Sequence, residues 1–169
     1  EKAGVVLTKG RAALANIELG IGIKAGLALP DILTPDALKK ALQAAGFVVH
    51  APPAATPSGA QSDKVIRELG LAGGPLNVIH KAGLAGGVAA IASGEATLGI
   101  FPKSEIVAFD GVTLIGPLPR ALQLTITYGA AITARSAVAD EAAAFIQFLI
   151  SPDSRKVWNA CGFDEPTKG

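Results

Sequence analysis

The sequence has little cysteine, little net charge and no long apolar run. Its single cysteine, Cys161, has no partner for an internal disulfide bond and fits a periplasmic or a cytosolic protein equally well. The net charge of +1 provides no broad basic face, so we expect no binding to nucleic acid. No run approaches the roughly 18 apolar residues of a membrane span, so we expect no direct insertion into a membrane.

Several catalytic and cofactor motifs are also missing. The sequence has no GxSxG, no GxxxxGK and no GxGxxG, which argues against triad hydrolysis and nucleotide binding. No Cys or HxH spacing accompanies the histidines, so we expect no metal site and no cofactor. The chain begins with Glu1 rather than Met and shows no signal peptide, so we expect a processed or truncated product.

The most informative stretch is 46–70, GFVVHAPPAATPSGAQSDKVIRELG. Residues 47–50 have the β-branched and aromatic character of a buried strand, which the following prolines end. Ser58 and Gln61 have the spacing of a capping box, which predicts a helix from Gly59 with Ser58 as its N-cap. The first N–H groups of such a helix have no partner within it, and its dipole is positive there. This stretch therefore predicts an anion site built from backbone.

The same order of strand, small-residue loop and helix recurs along the chain. Residues 76–80 read as a strand, 83–87 as a glycine-rich loop and 88–93 as a helix. Alternating strands and helices predict a parallel-type α/β sheet with right-handed crossovers. The loops at Ser58 and Gly86 should then lie at one rim, where open α/β sheets bind ligands.

Other helix starts have clear signals. Thr34 followed by Pro35 predicts a helix to about Ala45, and Ser151 followed by Pro152 predicts the last helix. Residues 17–25 and 122–132 read as further strands, the second of them long.

Four segments together resemble a known family. They are PSGAQSDKVIRELGL, GGVAAIASGEATLGI, SEIVAFDGVTLIGPLP and FIQFLISPDSRKVWNACGF. Their order is similar to that of the molybdate-binding-protein-like branch of the type 2 periplasmic binding proteins, the solute receptors of ABC importers. The resemblance covers about residues 20–163 and implies two α/β lobes joined by two crossing strands, with the ligand held between them.

The resemblance also implies a domain arrangement. Residues 1–24 would be part of lobe 1 and the first crossing strand, and residues 25–126 would be the complete lobe 2. Residues 127–169 would be the return strand and the C-terminal helices of lobe 1. Nothing in the sequence matches the amino-terminal part of lobe 1, so we expect lobe 1 to be incomplete.

The family's binding residues map onto particular positions of this sequence. Family receptors for molybdate often carry a tyrosine after the LGI strand, and Pro102 stands there. The ligand-binding positions that we predict are Ser58, Gly59, Ala60, Leu84, Ala85, Gly86, Pro102, Lys103 and Tyr128. Each position also has an alternative without a ligand. Ser58 would only cap the helix, and the small residues at 84–86 would only permit tight packing. Lys103 would be a solvated surface lysine, and Tyr128 a half-buried core ring.

The resemblance implies an extracytoplasmic receptor, periplasmic in location, although a cytoplasmic protein remains open. It would capture a small anion, either a molybdate-like oxyanion or a small carboxylate, for the membrane subunits of an ABC importer. The alternative is a cofactor-free isomerase of a di- or tricarboxylic acid, similar to aconitate isomerase, with His50 or His80 as a proton-transfer group. Hydrogen-bonded histidines at the rim, without catalysis, are the simpler interpretation, and a lobe that only mediates association is a third possibility.

Overall fold

The computed structural model describes residues 5–7 and 10–166. The strands are β1 (Ala12–Lys24), β2 (Phe47–His50), β3 (Asn77–His80), β4 (Leu98–Pro102), β5 (Val112–Pro117) and β6 (Thr125–Ala130). The α-helices are α1 (Pro35–Ala45), α2 (Pro57–Glu68), α3 (Ala89–Ser93), α4 (Lys103–Val107), α5 (Ala139–Leu149) and α6 (Pro152–Ala160). A π-helix (Gly83–Val88) precedes α3, and a 3₁₀ turn (Arg120–Leu122) precedes β6.

The strands form one open, mixed sheet. Its order is β3-β2-β4-β1-β5, and β6 also pairs with β1. β2 is parallel to β3 and to β4, whereas β1 is antiparallel to β4 and β5. The α/β class that the sequence predicts is confirmed, but the expectation of a parallel-type sheet is wrong for β1. Helices connect β2, β3 and β4 in succession, so these three strands run in the same direction. No helix joins β1 directly to a strand beside it in the sheet, so β1 can run antiparallel to its neighbours.

The chain divides into two compact units. One consists of Glu18–Thr125, and the other of Glu1–Ile17 together with Ile126–Gly169. β1 contributes to both units. The assignment of these units to the two lobes of a binding protein, with the bounds given above, stays a prediction.

Both faces of the sheet are buried in the unit 18–125. Neighbouring residues of a strand point to opposite faces, so Val48 lies in one apolar cluster and Val49 in the other. The first cluster contains residues of α1 and α2, including Leu38, Leu42, Val65 and Ile66. The second contains residues before and within α3 and α4, including Val88, Ile91 and Ile106. This double burial explains why β2 is apolar without alternation.

Three helices begin with the same device, a hydroxyl residue followed by proline. The side chains of Thr34, Thr56 and Ser151 accept hydrogen bonds from the N–H groups of Ala37, Gly59 and Ser154. The starts of α1 and α6 agree with the sequence. The start predicted for α2 is wrong: the N-cap is Thr56, and Ser58 lies two residues after it, in the first turn of the helix.

The capping box predicted for Ser58 and Gln61 is also absent from α2. The Gln61 side chain does not reach back to the helix start. Its Nε2 donates to the carbonyl oxygen of Leu122 at 2.8 Å. Gln61 therefore ties α2 to the 3₁₀ turn instead of capping its own helix.

Two irregular segments also differ from the sequence prediction. The glycine-rich segment predicted as a loop at 83–87 is helical, with a bond from the N–H of Gly87 to the carbonyl oxygen of Ala82 at 3.3 Å. The strand predicted over 122–132 is shorter, because the 3₁₀ turn occupies Leu122 and pairing begins only at Thr125.

Gly59 provides a test of how closely α2 packs on the preceding chain. A Cβ there would lie 2.5 Å from the carbonyl oxygens of both Ala51 and Pro52, whereas a Cβ at Gly86 would have its nearest neighbour at 3.8 Å. We expect Gly59→Ala to lower the free energy of unfolding by about 1–3 kcal/mol, the usual cost of overpacking. Gly86→Ala is the matched control and should change it by less. Equal effects in urea unfolding would show that α2 does not depend on this close approach.

Candidate functional site

Three helices begin at one edge of the sheet, here called the carboxyl edge. β2, β3 and β4 end there at His50, His80 and Pro102, and they are followed by α2, the π-helix and α4. The ladders pair His50 with His80 on one side and with Ile100 on the other. Parallel pairing therefore brings the two predicted backbone-donor segments to neighbouring places on the same edge.

The start of α2 offers fewer unused donors than the sequence suggests. Pro57 has no N–H, the N–H of Gly59 donates to Thr56 Oγ1 at 3.0 Å, and that of Ala60 donates to the Thr56 carbonyl at 3.0 Å. The N–H of Ser58 has no acceptor within the helix at this position. Among the three predicted positions, Ser58 is therefore the best placed to donate to a ligand.

Buried contacts hold Ser58 in place. Its side chain is buried, and its Oγ lies 3.0 Å from Thr56 Oγ1. Its carbonyl oxygen accepts a 2.8 Å bond from the fully buried Ser62 hydroxyl. The cap and the serine below it thus fix the direction of the Ser58 N–H.

The π-helix provides the second set of donors. Its N-cap, Ala82, makes no side-chain capping bond, and the bond from Gly87 to Ala82 spans five residues. The N–H groups of Leu84, Ala85 and Gly86 precede the donor of this bond. Leu84 and Ala85 are exposed, so a π-helical start leaves more backbone donors accessible than an α-helical start of the same length.

The third position follows β4. Pro102 is buried and has no N–H, so it can shape the edge but cannot donate a hydrogen bond. The side chain of Lys103 is only 13% exposed, and its Nζ lies 3.5 Å from Glu18 Oε2. The interpretation of Lys103 as a solvated surface lysine is therefore wrong. Glu18 precedes Leu19, which pairs with Pro102, so this ion pair also lies at the carboxyl edge.

Glu105 is a residue that the sequence analysis missed. It lies in the first turn of α4, and burial raises the pKa of its carboxyl group. Its Oε2 is buried, and no hydrogen-bond partner for it exists among the described residues. Nothing in its sequence context distinguishes it from an ordinary acidic residue near a helix start.

The two histidines are in contact, but their surroundings differ. His50 is fully buried, and its Nδ1–H donates to the carbonyl oxygen of Ala51 at 2.8 Å. Its Nε2 is buried and has no partner within the part of the chain that the structure describes. Burial lowers the pKa of His50, which favours the neutral ring. His80 is exposed, and the two ring centroids lie 4.8 Å apart with an interplanar angle of 66°.

Tyr128 belongs to the other compact unit. Its side chain is half exposed, and its ring contacts that of Phe163 edge-on at 5.7 Å. Its predicted role in binding stays a prediction. Across residues 5–7 and 10–166, no three His, Cys, Asp or Glu side chains form a metal-binding group, and no helix is long and apolar enough to cross a membrane.

Replacing Glu105 by Gln should reveal the cost of its burial. Because the folded-state pKa lies above the ordinary value of 4.5, the folded protein loses stability as the pH rises from that value through the folded-state pKa. Glu105→Gln should therefore be more stable than the parent at neutral pH, with the difference shrinking below about pH 4. Chemical unfolding at several pH values measures this difference. A variant that is less stable than the parent at neutral pH would contradict it.

Solved structures share this fold. The substrate-binding domain assigned to a molybdenum ABC transporter of Clostridium difficile is 18% identical, with a TM-score of 0.78 over 98% of this chain and 71% of that chain. The periplasmic molybdate-binding protein of Azotobacter vinelandii is 21% identical, with a TM-score of 0.71 over 98% of this chain and 72% of that chain. At these identities the likeness shows the fold alone.

Sequence comparison adds a relative and a family. Aconitate isomerase from a Pseudomonas species is 27% identical over 162 residues, and the match covers 91% of this chain and 58% of that protein. The chain therefore spans 58% of the length of this curated relative. The sequence profile described as bacterial extracellular solute-binding protein matches residues 1–164. On this match, which covers nearly the whole sequence, the chain belongs to the family of bacterial extracellular solute-binding proteins.

Proposed function

We propose that this chain binds a small anion at the carboxyl edge of its sheet and acts as a solute receptor for an ABC importer. The observation that carries the proposal is the pair of helix starts, α2 and the π-helix, which follow neighbouring parallel strands. Two positive helix ends at neighbouring places favour a negative ligand more than either end would alone.

The donors on this edge determine what kind of anion fits. They are the backbone N–H groups of Ser58, Leu84, Ala85 and Gly86. Backbone donors select a ligand by its charge and size and provide no side-chain chemistry that would distinguish one anion from another. The ligand class is therefore a molybdate-like oxyanion or a small carboxylate. The fold shared with a periplasmic molybdate-binding protein supports this class.

Lys103 adds a cation whose charge is already balanced. Its ion pair with Glu18 leaves the edge without a large net positive charge, so backbone donors provide most of the attraction. An arriving anion would compete with Glu18 for Lys103. A ligand with several negative charges, such as a di- or tricarboxylate, would compete best.

The place in transport follows from the family. The family match and the fold shared with a substrate-binding domain assigned to a molybdenum ABC transporter both support a periplasmic receptor that meets importer membrane subunits. In this proposal, residues 25–126 form the ligand-binding lobe 2, and residues 1–24 and 127–169 belong to lobe 1. Pro102, at the carboxyl edge, would contribute to the selection of the ligand.

An acidic residue at Ala60 should separate ligand binding from helix stability. Ala60 is exposed near the start of α2. A carboxylate there interacts favourably with the helix dipole by about 0.3–1 kcal/mol but repels an anion at the same end. We therefore expect Ala60→Asp to keep or raise the free energy of unfolding and to weaken anion binding about tenfold or more. Ala60→Asn, which has the same shape without the charge, is the matched control, and calorimetric titration measures both.

The ligand for that titration comes from a thermal-shift panel. The panel contains molybdate, tungstate, sulfate, phosphate, citrate and aconitate. A ligand at about 100 times its dissociation constant adds about 2.7 kcal/mol to the stability, which is easily visible. No shift with any of the six would count against the proposal. A shift that Ala60→Asp leaves unchanged would put the anion at another place.

A second candidate function is isomerisation of a di- or tricarboxylic acid. The similarity to aconitate isomerase favours it, and so does the ring contact between His80 and His50, whose Nε2 has no partner among the described residues. A base would remove a proton from one carbon of the substrate, the double bond would shift, and a proton would return to another carbon, with no net oxidation or reduction. His80 is the exposed member and would be the group that meets the substrate.

The isomerase candidate predicts that His80→Ala abolishes turnover and retains carboxylate binding. Proton NMR of aconitate in D₂O measures both isomer conversion and deuterium uptake. If the parent chain binds the carboxylate without turnover, the isomerase function is excluded and only the receptor function remains. Turnover that persists in His80→Ala would remove His80 from the mechanism.

A further inference from the structure

We propose that His50 and His80 together bind a divalent transition-metal cation of the Zn²⁺, Ni²⁺ and Cu²⁺ class at the carboxyl ends of β2 and β3. Imidazole nitrogen is a preferred ligand for these ions. The two side chains lie directly opposite each other in the parallel ladder, on the same face of the sheet. This site does not depend on the anion proposal, because it uses neither the α2 start nor the π-helix.

The hydrogen bond of His50 prepares its ring for metal binding. A carbonyl oxygen can only accept, so the 2.8 Å contact with Ala51 places a proton on Nδ1. In the neutral ring, Nε2 then carries the lone pair, and that atom is buried without a partner among the described residues. Metal-ligating histidines characteristically donate their other N–H to a backbone carbonyl or a carboxylate, which is the arrangement found here.

The separation of the rings matches that of two imidazoles on one ion. A metal–nitrogen distance of about 2.0–2.1 Å places each ring centroid about 3.2 Å from the metal. Two such rings are about 4.5 Å apart at a right angle and about 5.2 Å apart at the tetrahedral angle. The observed centroid separation of 4.8 Å lies between these values. The centroid separation therefore fits two imidazoles bound to one ion.

Access and the remaining ligands also follow from the positions. β3 is the end strand in the described sheet order, and His80 is exposed, so its ring can turn and admit an ion to Nε2 of His50. Asp63 acts electrostatically on His50 but is paired with Arg67 at 3.0 Å. No third ligand completes a group within the described ranges. Water or the oxygen atoms of a small ligand would fill the other coordination positions.

The composition makes a clean test possible, because the chain has two histidines and one cysteine. The tag-free chain carrying Cys161→Ser would be titrated with Cu²⁺ and with Zn²⁺ by calorimetry, since the exposed thiol could otherwise bind metal. We expect one ion per chain and, for Cu²⁺, an electron paramagnetic resonance spectrum with coupling to two nitrogens. His80→Ala should weaken binding by more than about 100-fold, because even the loss of a supporting residue costs 10–100-fold.

His80→Phe is the matched control, because it keeps a ring against His50 and removes the nitrogen ligands. Binding lost in both His80 variants, with unchanged thermal unfolding of the metal-free chain, would establish the nitrogen as the ligand. His50→Gln should also lose the ion. The proposal is overturned if the Cys161→Ser chain binds no ion, if His80→Phe binds as tightly as the parent, or if the spectrum shows a single nitrogen.

Discussion

The parallel pairing of β2 with β3 and β4 is the constraint on which the site depends. It places the ends of three strands at one edge, and therefore also the starts of the helices that follow them. A slip of one residue would exchange Val48 and Val49 between the two apolar clusters, so burial on both faces holds the register. The contact between His50 and His80 is a direct result of that register.

Helix starts marked by a hydroxyl residue before a proline are the most predictable local feature, and the error at the start of α2 is instructive. Thr34 with Pro35 and Ser151 with Pro152 correctly predict N-caps from a hydroxyl residue before a proline. Thr56 with Pro57 is the same signal, but the spacing of Ser58 and Gln61 suggested a capping box two residues later. Pro57 can occupy the first turn and fixes its own φ there, so the helix begins two residues earlier than that box predicts.

Other features depend on contacts that a local pattern does not contain. The direction of β1 is not readable from its residues, because alternation is the same in either direction. The pair of Lys103 and Glu18 joins residues 85 positions apart, so the burial of that lysine could not be anticipated. The glycine at the end of the π-helix is also required by a distant contact: a Cβ at Gly87 would lie 2.4 Å from the ring of Phe101, which only the folded chain reveals.

Donors made of backbone have a consequence for how such a protein changes over evolutionary time. Most substitutions at Ser58, Leu84 or Ala85 leave the N–H in place, and only proline removes it. The anion binding that we propose would therefore outlast extensive divergence of the side chains, provided that the glycines and caps that shape the two helix starts persist. Selectivity would then change through neighbouring positions such as Pro102 and Lys103, while the proposed affinity for negative charge would be retained.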